Sequence, residues 1–170
     1  MANQTQRPDT ALHNTSHLMQ YHDLIESIVA AMDARDAYTA KHSDRVADMV
    51  LVLANALDLS EDETTLLHMA AHLHDIGKIA VPDSVLRKAG PLTSPEWEEM
   101  RRHPVTGYEI LRKVDDFKEI AVLVRHHHER WDGRGYPDGL RGADIPLGSR
   151  ILAVADSINA MMSSRSYRQA

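Results

Sequence analysis

Apolar residues recur along this chain at helical intervals, and that spacing restricts its fold more than any other feature. From Tyr21 onward, Leu24, Ile25, Ile28, Val29 and Met32 follow the i, i+3, i+4 rule of a helix with one buried face. Val46, Met49, Val50, Leu53, Ala54 and Leu57 repeat it and predict a second helix from about Thr39 to Leu57. Ser60 and Glu63 form a capping box, in which hydroxyl and carboxylate each satisfy an orphan backbone N–H. It opens a third helix through Leu66, Leu67, Ala70, Ala71 and Leu73, expected to end near Gly77. Pro82, Gly90 and Pro91 mark a connection. Ser94-Pro95 predicts an N-cap with proline at the first helical position. Pro104 lacks a backbone N–H, so it should interrupt that element and start another running to about Val114. Phe117 to His127 and Leu147 to Met162 complete the series. No convincing run alternates apolar and polar residues, so the chain reads as all-α.

The pattern breaks over residues 130–146, where Gly133, Gly135, Gly139 and Gly142 make up half of the 8 glycines. Such a loop is longer than the usual connection. It is either a structured turn that glycine permits or a functional loop. Residues 1–17 lack periodicity and read as a flexible N-terminal tail, and residues 18–170 as one domain. A length of 170 residues with 43% apolar content fits one hydrophobic core and argues against a disordered chain. The formal net charge of −6 argues against a nucleic-acid polymer as partner, since such domains usually carry a basic face. It leaves room for a small phosphorylated ligand, because bound cations supply positive charge that the count ignores. The best apolar stretch, Met49 to Leu59, is too short to span a bilayer, and Met1 to Thr10 lacks the apolar run of a signal peptide. The expected location is cytoplasmic, without membrane contact.

The chain has 11 histidines and no cysteine, which removes disulfides, thiolate ligands and a cysteine nucleophile. Histidines and aspartates gather at helix ends and beside breakers: His74-Asp75 before Gly77, His103 before Pro104, and His126, His127 and His128 before the glycine-rich loop. His42 lies early in the second helix and Asp156 on a late, otherwise apolar face. Imidazole and carboxylate suit Mn, Fe, Zn and related divalent metals. Neighbouring His and Asp side chains diverge by about 100° on a helix, so they share a site only at a helix end or across two metals. Two cations about 4 Å apart can activate one water and steady both the attacking and the leaving oxygen of a phosphoester. His13, His17 and His22 read as packed or surface residues. His68 and His72 are i, i+4 neighbours on the face that carries Asp75, a spacing that can bind metal, although a packing or supporting role is preferred. His126 reads as the non-ligand of its triplet. Periodicity alone does not settle these choices.

His127 to Pro137 read HHExxDGxGYP, and His74-Asp75-Ile76-Gly77-Lys78 lie upstream. With Tyr38-Thr39-xx-His42-Ser43-x-Arg45-Val46, His103-Pro104, Asp156 and Arg165-Ser166-Tyr167-Arg168, the chain from about Asp33 to Arg168 strongly resembles the HD-GYP family. These are bacterial, all-helical phosphodiesterases of the HD superfamily that degrade cyclic di-GMP. The resemblance implies a single helical bundle with a glycine-rich GYP loop. It implies metal ligation by His42, His74, Asp75, His103, His127, His128 and Asp156, with Asp75 bridging two divalent ions, Fe or Mn foremost and Ni or Zn admitted. Asp75 and Lys78 would be catalytic. Lys78, Arg165 and Arg168 would meet phosphate, and Asn159 would contact substrate. A metal-bridging hydroxide would open cyclic di-GMP to linear pGpG, GMP or both. The alternatives are a binding or interaction module of the same fold with little or no turnover, and an enzyme for another dinucleotide such as cyclic GMP-AMP. The GYP loop would shape substrate access or meet a partner such as a diguanylate cyclase.

Three departures from the family pattern qualify this. Some members have glutamate where this chain has Tyr38, which favours two ions over three. Members often have aspartate where this chain has Asn159, which removes a charge. Family domains also continue with more helix beyond the Arg-x-Tyr-Arg segment, so the domain is expected to be short at its C-terminus.

Overall fold

The computed structural model describes residues 21–35 and 41–162. Eight α-helices follow one another there: α1 (His22–Arg35), α2 (His42–Ala56), α3 (Glu61–Leu73), α4 (Asp83–Leu86), α5 (Ser94–Met100), α6 (His103–Leu111), α7 (Lys118–His126) and α8 (Leu147–Met162). Short 3₁₀ turns lie at Ile76–Ala80, Asp115–Phe117 and Gly142–Asp144, and no strand occurs among the described residues. The expected all-α architecture is therefore what the chain adopts. Tyr38, Thr39, Arg165 and Arg168, together with the N-terminal tail, lie outside the described residues.

The apolar stripes of α2, α3, α7 and α8 meet in one core. Val46 and Val50 of α2, Leu67, Ala70 and Ala71 of α3, Ile120 and Val124 of α7, and Leu152 and Ala155 of α8 are all buried. Alanines at these contacts let helix axes approach closely. Burial of each large aliphatic side chain contributes roughly 1.5–3 kcal/mol. No helix among the described residues is long and apolar enough to cross a membrane.

Several boundaries differ from the sequence expectation. Helix α3 opens on the Ser60 box, with Ser60 N–H donating to Glu63 Oε2 at 3.0 Å, but it ends at Leu73 rather than near Gly77. Gly77 sits inside the following 3₁₀ turn because α6 passes over it. A Cβ at this position would lie 1.9 Å from the His103 carbonyl oxygen and 2.6 Å from Gly107 N. Close approach, not helix termination, requires the glycine. Helix α5 is capped one residue early: the Glu96 carboxylate accepts from Thr93 N–H at 2.7 Å and Thr93 Oγ1 at 2.9 Å, leaving Pro95 at the second helical position. Glutamate three residues after Thr93 decides the cap. Helix α2 starts at His42, after Lys41 in a left-handed conformation (φ 63°). The one-turn α4 was not expected, because four residues cannot display a period.

The glycine-rich segment is tied down by polar contacts. Buried Glu129 accepts from Asp138 N–H at 2.7 Å and Gly139 N–H at 3.0 Å. The Asp138 carboxylate receives the Arg125 guanidinium through two contacts of 2.7 Å. At Gly135 a Cβ would lie 2.3 Å from Arg130 N, so the loop can double back on itself only with glycine there.

Candidate metal centre

Helix ends converge to make the site. His74 caps the C-terminus of α3 and Asp75 follows it, His103 opens α6, His127 and His128 follow α7, His42 opens α2, and Asp156 comes from α8. Two donor groups result. In one, His42, His74 and Asp75 bring ligand atoms within 4.8 Å of one another; in the other, His103, His127 and His128 do so. Asp75 faces both groups. Its Oδ2 lies 3.4 Å from His74 Nε2 and 3.9 Å from His42 Nε2, and its Oδ1 lies 3.5 Å from His103 Nε2. Asp156 Oδ1 lies 3.3 Å from His42 Nε2. The seven side chains singled out in the sequence are thus together, whereas His126 turns outward and contacts Asp138 Oδ2 at 3.0 Å.

Backbone carbonyls set the tautomers of three rings. Nδ1 of His74 contacts Ala71 O at 2.7 Å, Nδ1 of His103 contacts Met100 O at 2.8 Å, and Nδ1 of His127 contacts Val124 O at 2.6 Å. A carbonyl oxygen only accepts, so each Nδ1 carries the proton and a neutral ring presents the Nε2 lone pair inward. His103 and His127 then oppose Nε2 to Nε2 at 3.4 Å. Two lone pairs at that separation repel unless a cation or a proton lies between them. Burial holds the His103 pKa down at about 4, against the partial opposition of Asp75. Burial also pushes His127 well below the ordinary value, with His128 adding to the effect. Protons are therefore disfavoured there, and the donor set fits divalent cations. In His74 burial is outweighed by the Asp75 carboxylate, and its pKa is raised. Burial opposes the charged form of Asp75, yet Lys78 above all, with His74, keeps its pKa well below the usual carboxylate range.

Around these groups lie residues that hold them. Lys78 Nζ donates to Asp75 Oδ2 at 2.6 Å, close enough that its charge borders the two donor groups. Asn159 is buried, and its side chain is engaged inside: Arg45 Nε donates to Oδ1 at 3.0 Å, and Nδ2 donates to His42 Nδ1 at 2.5 Å. That placement points to an action through His42. The Tyr136 ring stacks on His128 with centroids 4.9 Å apart, so the GYP loop forms one wall of the site. Two residues escaped the sequence reading. Glu129 anchors the loop, and its place between the histidine run and the glycines was the available signal. Arg35 grips the turn after Asp75, donating to Lys78 O at 3.0 Å, Ile79 O at 2.6 Å and Val81 O at 2.6 Å. No local pattern marks a residue that acts across more than 40 positions.

A family model described as HD domain matches residues 22–170. The chain is 45% identical over 150 residues to the cyclic di-GMP phosphodiesterase response regulator RpfG of Xanthomonas campestris, across 87% of this chain and 40% of that protein. It is 42% identical over 151 residues to 3'3'-cGAMP-specific phosphodiesterase 2 of Vibrio cholerae (86% and 28%). It is 40% identical over 148 residues to a cyclic di-GMP phosphodiesterase of Thermotoga maritima (86% and 40%). The chain therefore spans 28–40% of the length of these relatives. In fold it is similar to Bd1817, a HDG"Y"P protein from Bdellovibrio bacteriovorus, with a TM-score of 0.63 at 20% identity, over 90% of this chain and 58% of that one.

Proposed function

The chain belongs to the HD-domain family, and from that premise we propose that it is a metal-dependent phosphodiesterase that opens a cyclic dinucleotide, cyclic di-GMP foremost, to pGpG or GMP. The observation that carries this is Asp75 facing two histidine groups at once, with Lys78 beside it. His42, His74, Asp75 and Asp156 would hold one divalent ion, and Asp75, His103, His127 and His128 the other. Fe and Mn suit these donors, and Ni and Zn are compatible. When bound, such ions lower the pKa of water and offset charge on phosphoryl oxygens.

The protein's own groups supply the rest. The carbonyl contacts of His74, His103 and His127 fix ring orientation before any ligand arrives, so little reorganisation is needed. Lys78 keeps Asp75 ionised and places positive charge where a phosphate would approach. Tyr136 shields His128. Arg165 and Arg168 would pair with the dinucleotide phosphates through their planar guanidinium forks. Asn159 acts as a positioning residue for His42.

The relatives named above support the substrate class and divide between cyclic di-GMP and 3'3'-cGAMP. Rates on both, with Mn- or anaerobically Fe-loaded protein, test the proposal. Turnover of cyclic di-GMP that Asp75→Asn abolishes is expected, and metal-loaded protein that cleaves neither dinucleotide overturns it. One observation favours a second reading, retention of nucleotide without turnover: Asn159 donates to His42 Nδ1 and so leaves the ring proton on Nε2, the atom facing Asp156 and His74. Calorimetric binding of cyclic di-GMP without product would support that reading.

A further inference from the structure

One arginine joins two aromatic rings at the rim of the metal centre. The Tyr136 ring that stacks on His128 also carries the Arg101 guanidinium, with Cζ 5.4 Å from the ring centroid. The same Cζ lies 6.0 Å from the centroid of Trp97, one helical turn earlier. From the surface to the donor groups the order is Trp97, Arg101, Tyr136, His128. Trp97 is 47% exposed, Arg101 is exposed and Tyr136 is half-buried. The backbone here is held firmly. Arg101 follows α5 directly, and its N–H donates to Trp97 O at 2.9 Å. The preceding carbonyl, Met100 O, receives His103 Nδ1–H at 2.8 Å. One turn of chain therefore places both a candidate ligand and the guanidinium.

A guanidinium over aromatic rings can simply be packed there. Two observations go further. Its acidic neighbour is loose: Glu98 Oε1 lies 3.6 Å from Arg101 Nη1, beyond hydrogen-bonding distance, whereas the adjacent Arg102 reaches Glu99 Oε1 at 3.1 Å. Aromatic rings accept no conventional hydrogen bond, so the fork of Arg101 keeps N–H donors for an oxygen anion. The second observation is place. Arg101 shares the Tyr136 ring with His128, on the wall that the GYP loop forms. A cyclic dinucleotide carries two phosphates, and cleavage engages one of them at the ions, so the other has to be held beside the centre.

We propose that Arg101 is a further substrate-binding residue, donating to the phosphate of the cyclic dinucleotide that is not being cleaved, with Trp97 and Tyr136 holding its guanidinium in position. This inference rests on the dinucleotide reading above. Arginine suits the task because its planar fork pairs with phosphate oxygens while its ring contacts are kept.

The test is steady-state hydrolysis of cyclic di-GMP by the Mn-loaded whole chain, for the native protein, Arg101→Gln, Arg101→Lys and the neighbouring control Arg102→Gln. Both arginines are exposed, and folding is checked by circular dichroism. Arg101→Gln should raise KM about tenfold, the low end for a lost charge-assisted hydrogen bond, with kcat nearly unchanged because the contact is made in ground and transition states alike. The gap from the native protein should narrow as salt is added. Arg101→Lys should fall between the two, and Arg102→Gln should match the native KM. Calorimetric titration with Mn²⁺ should give the same affinity for Arg101→Gln as for the native protein. A native KM in Arg101→Gln, an equal rise in Arg102→Gln, or a matching loss of Mn²⁺ affinity overturns the proposal while leaving the phosphodiesterase reading intact. Calorimetric binding of cyclic di-GMP without turnover, weakened about tenfold by Arg101→Gln, overturns the phosphodiesterase reading and supports the role of Arg101. A native protein that neither cleaves nor binds cyclic di-GMP overturns both.

Discussion

Replacing Asn159 by aspartate should tighten metal binding at the His42 group. In the native protein Arg45 Nε donates to Asn159 Oδ1, and this turns the Asn159 amide nitrogen toward His42 Nδ1, 2.5 Å away. An amide N–H only donates, so Nδ1 must accept, and the neutral ring carries its proton on Nε2. That atom faces Asp156 Oδ1 at 3.3 Å and His74 Nε2 at 3.3 Å, where a cation would sit. To ligate, the ring must move its proton to Nδ1. The proton then meets the amide N–H, or the amide turns over and meets Arg45. Either way a hydrogen bond is lost, at a cost of about 1–3 kcal/mol for a buried group. Arg45 is exposed and can swing into water, which selects the low end: about 1.4 kcal/mol, or tenfold in Kd. Aspartate accepts from both Arg45 and His42 Nδ1–H and removes the conflict. Calorimetric titration of chelator-treated Asn159→Asp with Mn²⁺ should show that roughly tenfold gain, within the 10–100-fold range of outer-sphere effects. Turnover should rise at limiting metal and change little at saturation. Binding no tighter than that of the native protein would refute the tautomer argument.

Gly77→Ala forces a methyl group to 1.9 Å from a backbone oxygen and should destabilise the fold by about 1–3 kcal/mol or more, read from the urea midpoint. Arg35→Ala strips charged hydrogen bonds from the Lys78, Ile79 and Val81 carbonyls and should cost about 1.5–3 kcal/mol by the same measurement. In metal-free protein the folded-state pKa of His103 falls from 6.5 to about 4, so the unfolded chain binds the proton more readily and stability drops as pH falls through that window. His103 alone would account for about 3 kcal/mol, partly offset by the raised pKa of His74. Urea melts at pH 7 and pH 5 check the sign, and equal stability at both would contradict it.

Much of this was legible in the sequence because helical periodicity and breakers are local. The stripes of α2, α3 and α8, the Ser60 box and the Pro104 start needed only nearby residues. Boundaries failed where a distant element decided them: α3 stops short because α6 crosses Gly77, and Thr93 displaces Ser94 because Glu96 reaches back to it. Six of the seven ligand candidates stood at helix ends and Asp156 inside α8, but their division into two groups around Asp75 depends on how α2, α3, α6, α7 and α8 pack. The contacts of Arg35 to the Lys78 turn and of Asn159 to His42 and Arg45 span dozens of positions and leave no periodic trace.

Helix ends recur in the site for a physical reason. The last carbonyls of a helix have no partner within it. His74 supplies a donor to Ala71 O at the end of α3, His103 to Met100 O at the end of α5, and His127 to Val124 O at the end of α7. Each ring thereby satisfies an orphan carbonyl with Nδ1–H and is left with the Nε2 lone pair directed at its counterparts. One contact caps the helix, selects the tautomer and fixes the ring orientation. At His42, which opens α2, the Asn159 side chain rather than a carbonyl meets Nδ1, and it sets the other tautomer. Unlike those three rings, His42 is therefore a position where a one-residue change alters the donor properties of a candidate ligand.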